Sequence, residues 1–208
     1  IMIVMIGAAM VFLAGAPWWL FAGGIGALAG LVPVAYTLLH DYQKKRVLTF
    51  LNPESDPLGA GYHITQSKIA IGSGGFSGKG FLEGSQAHLN FLPEKHTDFV
   101  FTLLAEEWGF LGGVVLLALF ALIFYQGYAI AFRARNTFGR LLALGLITNY
   151  AIYIVINIGM VTGLMPVVGE PLPLISYGGT AMISNLFAFG LIMAVAVNRH
   201  GTLPRAGG

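Results

Sequence analysis

The feature that most constrains this chain is its set of long apolar runs. The run from 103 to 132 contains only two charged residues, Glu106 and Glu107. A helix that crosses a bilayer needs about 20 consecutive apolar residues. Inside lipid every backbone polar group must be bonded within the protein, so a helix is the expected structure. This run therefore predicts a transmembrane helix.

Five such runs predict an all-α, polytopic transmembrane helical bundle. Of the residues, 56% are hydrophobic and 10% charged, whereas soluble domains carry roughly 25% charged residues. The chain opens inside an apolar run with no basic segment before it, which is untypical of a signal peptide. We therefore expect residues 1–208 to form one multi-pass membrane domain that is a fragment of a longer protein. The predicted spans are 1–15, 18–39, 103–132, 141–165 and 175–197, and 40–98 is predicted to be one large extracytoplasmic loop.

The short connections predict the orientation. The connection 132–140 holds three arginines, and the tail after 197 is also basic, whereas the connection 164–175 has no Lys or Arg. The positive-inside rule makes the first two cytoplasmic and the third exterior. Parity then places the loop 40–98 outside as well. The basic run 44–46 conflicts with this placement, but the rule is weak for long loops.

Charge and cysteine content exclude several classes of protein. The net charge of +2 provides no basic field for nucleic acid. The absence of cysteine excludes disulfides and thiol catalysis.

Charge is concentrated locally in FLPEKHTDFVF, residues 91–101, directly before an apolar run. Thr97 or Asp98 is well placed to cap that helix, and from the residues alone capping and catalysis by Asp98 stay equally open. His96 with Asp98 is weak evidence for a metal site.

Two neighbouring motifs precede this stretch. GSGGFSGKG, residues 72–80, lacks the glycine and hydroxyl positions of a nucleotide-binding P-loop, so a close-approach turn is favoured. Exposed amides beside Lys79 are an alternative site for a lipid diphosphate. YHITQSKIAIG, residues 62–72, is consistent with a short amphipathic helix at the membrane surface.

Glycines and prolines mark two further segments. In AEEWGFLGG, residues 105–113, the glutamates are expected at the headgroups and the glycines at tight helix packing. Both glutamates lie about 12–14 Å of helix from Asp98, too far for a two-carboxylate site.

MPVVGEPLPLISYGGT, residues 165–180, has three prolines and predicts a rigid exterior connection, either a plain turn or the rim of a cavity. Asn157 and Asn185 are expected to hydrogen-bond between helices.

These motifs resemble the SEDS family. The resemblance rests on NPESDPLGAGYHITQSKIAIGSGGFSGKGFLEGSQAHLNFLPEKHTDFVFTLLAEEWGFLGG followed by PVVGEPLPLISYGGT. It covers essentially the whole chain. HITQSKIAIGSGGFSGKG is nearer to the RodA branch of the family than to the FtsW branch. Family members have about ten spanning helices, so the resemblance implies a C-terminal half.

The resemblance implies a peptidoglycan glycosyltransferase that polymerises lipid II in a bacterial plasma membrane, with its active site on the extracytoplasmic side. The essential aspartate of the family corresponds to Asp98, expected to act as a general base. Expected partners are lipid II, a class B penicillin-binding protein and elongation-complex membrane proteins, without nucleic acid. A divalent cation, Mg²⁺ or Mn²⁺, is a possible cofactor. Expected substrate-binding residues are Lys79, Lys95, His96, Glu94 and Ser176; Lys68 and Arg46 are further cationic candidates.

Two alternatives belong to other functional classes. A lipid II flippase would be favoured by polar residues within the spans, and this sequence has few. A scaffold that positions a cross-linking enzyme would lack polymerising activity of its own. Lipid II crossing the membrane of proteoliposomes that contain only this protein would indicate the flippase, and polymerisation by the purified protein separates the scaffold from an enzyme.

Overall fold

A computed structural model describes residues 2–38, 40, 43–44, 48–50, 52, 59–84 and 96–198. All regular structure in these residues is helical, as predicted. The helices are α1 (Met2–Leu13), α2 (Trp18–Leu38), α3 (Ala60–Gly74), α4 (Val100–Arg133), α5 (Thr137–Val161) and α6 (Gly179–Val197).

Three of the described helices, α4, α5 and α6, are long and apolar enough to cross a membrane. The predicted spans 1–15 and 18–39 are helical where described, and their crossing of the membrane stays a prediction. α5 begins at Thr137 rather than at the predicted 141. Asn136 explains the difference, because its side-chain oxygen accepts a hydrogen bond from the amide of Gly139 and so caps the helix.

α5 ends in a Schellman motif. The amide of Gly163 donates to the carbonyl of Met160 over 2.9 Å, and the amide of Leu164 donates to that of Gly159 over 2.7 Å. Gly163 has φ +73, a conformation that glycine adopts without steric cost. This motif ends α5 before the predicted 165 and starts the loop that follows.

The chain divides into two compact units. The first comprises Ile1–Gly26, Leu119–Ile152 and Gly179–Gly208. Its described core is built largely from small side chains, which allow helix backbones to approach closely. This core consists of Ala131, Ala134, Ala143, Leu144 and Val195.

The second unit comprises Ala27–Ala118 and Tyr153–Gly178 and is organised around Ser67 on α3. The Ser67 hydroxyl donates to the carbonyl of Val161, at the end of α5, over 2.7 Å. Its oxygen lies 2.6 Å from the hydroxyl oxygen of Thr102 on α4. Because Ser67 has one hydroxyl hydrogen, Thr102 is the donor in that second bond. The predicted helix over 62–72 is therefore present, but protein rather than lipid headgroups covers this face of it.

Candidate active site before helix α4

Asp98 lies in the turn of residues 96–99, here called the aspartate turn, directly before α4. This turn is bound to residues 162–178, here called the proline loop. The amide of Tyr177 donates to the carbonyl of His96 over 2.9 Å. The aspartate turn and the proline loop therefore lie on the same side of the membrane, as the parity of the spans predicts.

Ser176 makes the same connection through its side chain. Its hydroxyl donates to the carbonyl of Thr97 and accepts from the amide of Leu172 over 2.8 Å. The residue is only 6% exposed. Ser176 was predicted to bind substrate, and the contacts of its hydroxyl connect the proline loop to the aspartate turn.

Asn157 provides a third connection from within α5. Its side-chain nitrogen donates to the carbonyl of Asp98 over 2.8 Å and to the carbonyl of Glu170 over 2.7 Å. The residue is fully buried, at 0% exposure. Asn157 was predicted to hydrogen-bond between helices; it does hydrogen-bond, but the predicted partners are wrong, because they are backbone carbonyls of a turn and a loop rather than of another helix.

The carboxylate of Asp98 lies against the proline loop at Gly169. A Cβ atom at Gly169, which has φ +77, would lie 3.2 Å from Asp98 Oδ2. Asp98 as a whole is only partly buried. Burial raises the pKa of Glu170 above its ordinary value, and the negative charge of Asp98 raises it further. Two acidic side chains therefore share this end of the unit.

α4 is broken at Gly109, which has φ 64 and ψ −160. A break leaves amides and carbonyls without helical partners, and residues 75–80, here called the glycine loop, supply them. The amide of Lys79 donates to the carbonyl of Glu106, and that of Gly80 to the carbonyl of Glu107, each over 3.1 Å. In the other direction, the amide of Phe110 donates to the carbonyl of Gly75 over 2.9 Å, and that of Leu111 to the carbonyl of Phe76 over 3.1 Å.

Two expectations are corrected by this arrangement. Exposed amides beside Lys79 were considered for a lipid diphosphate, but the amides of Lys79 and Gly80 donate to α4 carbonyls instead. Glu106 and Glu107 were expected at the headgroups, but both are buried within the protein. The physical reason is the same for both: the break in α4 needs donors, and the glycine loop brings Lys79 with it.

Lys79 forms an ion pair with Glu106. The side-chain nitrogen lies 2.7 Å from Glu106 Oε1, and the side chains are 28% and 1% exposed. A Cβ atom at Gly84 would lie 3.0 Å from Glu106 Oε2, so this segment also covers the carboxylate. Glu106 follows Asp98 by about 12 Å of helical rise, which places this ion pair along α4 from the aspartate turn.

The predicted site residues thus fall into separate groups. Asp98, His96 and Ser176 are brought together at the junction of the aspartate turn and the proline loop. Lys79 is anchored at Glu106. Glu94, Lys95 and Arg46 lie outside the described residues, and the side chain of Lys68 lies against Gly163.

Two residues of the site, Gly169 and Glu170, were not predicted as such. Glu170 is the only charged residue in the 164–175 connection, and that isolation was the available signal. Nothing in the sequence pairs Gly169 with Asp98, because the two are distant along the chain. Within the described ranges, no three His, Asp or Glu side chains lie close enough together to hold a metal ion.

The fold and this site define a polytopic α-helical membrane protein with an acidic group at the junction of a loop and a helix. The FtsW/RodA/SpoVE family model, described as "Cell cycle protein", matches residues 1–201. The chain therefore belongs to the FtsW/RodA/SpoVE family, which confirms the resemblance seen in the sequence.

Named relatives agree with this assignment. The chain is 52% identical to "Peptidoglycan glycosyltransferase MrdB" of Escherichia coli K12, over 96% of this chain and 54% of that protein. It is 44% identical to "Peptidoglycan glycosyltransferase RodA" of Treponema pallidum, over 86% of this chain and 41% of that protein. The chain thus spans about half the length of the curated relatives it matches.

Solved structures show the same relationship. One is a chain described under "Structural coordination of polymerization and crosslinking by a peptidoglycan synthase complex", with TM-score 0.81, 36% identity, and coverage of 97% of this chain and 55% of that one. Another is RodA of Thermus thermophilus, with TM-score 0.57, 30% identity, and coverage of 93% and 47%.

Proposed function

We propose that this chain is the part of a peptidoglycan glycosyltransferase that carries the general base, Asp98, and that the whole protein polymerises lipid II into glycan strands. The observation that carries the proposal is the placement of Asp98. Asp98 is partly buried, its carboxylate lies against Gly169 of the proline loop, and its backbone carbonyl is bonded to the buried Asn157. The relatives named as peptidoglycan glycosyltransferases support the choice of reaction.

The chemistry needs one well-placed carboxylate. A sugar hydroxyl attacks the anomeric carbon of a second, lipid-linked sugar; the bond from that carbon to the diphosphate oxygen breaks as the new glycosidic bond forms. Asp98 accepts the hydroxyl proton, a role that contributes typically 10²–10⁴-fold in rate. The diphosphate leaves with the bonding electron pair and is a good leaving group, so no second acid is required. A single displacement inverts the anomeric carbon.

Positive charge is expected to stabilise the departing diphosphate. Among the predicted cations, Lys79 is paired with Glu106. The side chain of Lys68, on α3, lies against Gly163 at the start of the proline loop. Mg²⁺ commonly binds one or two carboxylates together with substrate phosphates. Asp98 and Glu170 are the carboxylates at this site that would hold such an ion, which would neutralise the diphosphate when bound.

The location and partners follow from the same substrate. Lipid II has its isoprenoid tail in the bilayer and its sugars in water, so the reaction belongs where these two phases meet. We place the aspartate turn and the proline loop on the extracytoplasmic side of the bacterial plasma membrane, because the connection 164–175 lacks Lys and Arg. A class B penicillin-binding protein, which cross-links the strands, is the proposed partner, together with membrane proteins of the elongation complex.

The decisive experiment is lipid II polymerisation by the purified full-length protein with its transpeptidase partner. Asp98→Asn keeps the shape of the side chain and its ability to cap a helix, since Asn caps as well as Asp, but removes the base. We expect a loss of about 10²–10⁴-fold in rate at unchanged expression. Glu83→Gln, at an exposed position, is the control and should retain activity. Normal glycan synthesis by Asp98→Asn would reduce Asp98 to a capping residue. Lipid II transfer across proteoliposomes without glycan product would favour the flippase.

A further inference from the structure

Asn157 holds Asp98 by its backbone. Both hydrogens of its side-chain nitrogen are used, one on the carbonyl of Asp98 and one on the carbonyl of Glu170. One amide group thus sets the separation between the aspartate turn and the proline loop. The residue is fully buried, so these bonds are shielded from competing water.

The other end of this amide is unusual. Oδ1 of Asn157 is buried and has no hydrogen-bond partner among the residues that the structure describes. A buried acceptor left without a partner costs about 1–3 kcal/mol. The two bonds made by the nitrogen are therefore the contribution of this side chain: one holds the turn that carries Asp98, and the other holds the proline loop at Glu170.

Gly169 bounds Asp98 at its carboxylate. The close approach of the loop backbone to Asp98 Oδ2 depends on the missing side chain, since a Cβ would lie 3.2 Å from that oxygen. The φ of +77 also favours glycine. Asp98 is thus held at its carbonyl from α5 and limited at its carboxylate by the proline loop.

We propose that Asn157 and Gly169 are positioning residues for Asp98: Asn157 sets the place of its backbone and Gly169 the place of its carboxylate. This inference rests on the proposed function, in which Asp98 accepts a proton. A general base must lie within about 2.6–3.2 Å of the group it deprotonates. A displacement of about 1 Å can cost 10²-fold in rate. The bonds of Asn157 and the close approach of the Gly169 backbone to Asp98 Oδ2 limit such a displacement.

The first test is Asn157→Leu in the full-length protein, which keeps the branched skeleton of the side chain and removes both donors. We expect the kcat of lipid II polymerisation, expressed per lipid II-binding site, to fall about 10- to 100-fold, while KM stays within about twofold. Normalising to binding sites removes any loss of folded protein. Asn185→Leu makes the same change on α6, at a side chain remote from Asp98 in sequence, and should leave kcat unchanged.

The second test is Gly169→Ala, which leaves Asn157 intact and does not touch the core because Gly169 is exposed. We expect a loss in kcat of about 10-fold with KM again retained. Gly15→Ala is the matched control: Gly15 has φ +101, and an added Cβ there would meet no atom within 4 Å, so this variant carries the backbone strain alone. In the double variant Asn157→Leu with Gly169→Ala, the combined loss should be smaller than the product of the single losses, because both act through Asp98.

The outcomes separate this inference from the proposed function. Full activity of Asp98→Asn contradicts the proposed function itself. If Asp98→Asn is inactive but Asn157→Leu and Gly169→Ala retain kcat, or change only KM, the positioning role is overturned. Losses that simply multiply in the double variant also overturn it. If Asn157→Leu does not fold, Gly169→Ala against Gly15→Ala decides.

Discussion

The ammonium of Lys79 lies 2.7 Å from the carboxylate of Glu106, and that carboxylate is only 1% exposed. The pair connects the glycine loop to α4 next to the break at Gly109. Lys79 is 28% exposed, so its charge retains contact with the surroundings while that of Glu106 does not.

This asymmetry predicts unequal effects of removing either partner. Lys79→Met leaves a buried carboxylate without its ammonium, and we expect a loss of about 3–5 kcal/mol in the free energy of unfolding. Glu106→Gln leaves a lysine that can turn outward, and we expect a smaller loss, about 1 kcal/mol. Thermal unfolding in detergent measures both, with Glu83→Gln as the exposed control. Equal losses for the two variants would show that burial of Glu106 is not the determining factor.

Gly109→Ala should be strongly destabilising. Its backbone, at φ 64 and ψ −160, is in a region that only glycine enters readily, and an added Cβ would collide with the backbone of Phe76 and Gly78. We expect a loss of about 3 kcal/mol or more. Gly113→Ala is the control on the same helix: its Cβ would make only an ordinary 3.6 Å contact with Phe101. The control should be neutral or stabilising by up to about 1 kcal/mol; equal melting temperatures for the two variants would contradict the break.

Glu170 predicts a pH dependence of stability. Burial, and then the charge of Asp98, raise the pKa of Glu170 above 4.5 in the folded protein, so the folded state keeps this proton to higher pH than the unfolded chain. Its contribution to stability is therefore complete below pH 4.5 and is lost as pH rises through the folded-state pKa. As pH rises from below 4.5 through the folded-state pKa of Glu170, the melting temperature of Glu170→Gln should fall less than that of the unsubstituted protein. Asp98→Asn should also reduce the slope, since it removes the second cause. An unchanged slope in Glu170→Gln would show that other groups dominate.

Ser67→Ala tests the junction of three helices. The change leaves the buried carbonyl of Val161 without this donor and removes the acceptor of the Thr102 hydroxyl. We expect a loss of about 2–4 kcal/mol, since each buried group left unpaired costs about 1–3 kcal/mol. Ser73→Ala on the same helix is the control: its hydroxyl bonds locally to the carbonyl of Ala70 over 2.8 Å at an exposed position. A control loss as large as that of Ser67→Ala would contradict the junction.

The candidate site was partly predictable. Asp98 stands out because it is an acidic residue directly before an apolar run, and the proline loop was predicted as rigid because its prolines exclude a helix. The glycines of AEEWGFLGG illustrate the limit. Gly109, Gly112 and Gly113 occupy similar apolar surroundings in the sequence, yet Gly109 alone has a non-helical backbone within α4. The choice among them depends on the glycine loop, which supplies hydrogen bonds at that position.

The amino-acid sequence by itself determined that this chain forms apolar helices, because lipid leaves a backbone no other way to satisfy its polar groups. It also determined that charge gathers before α4. Only the tertiary structure decided which groups meet there: Asn157 with the carbonyls of Asp98 and Glu170, Gly169 with the carboxylate of Asp98, and Lys79 with Glu106. The physical reason is that each contact joins residues far apart along the chain, and local propensity carries no information about such distances.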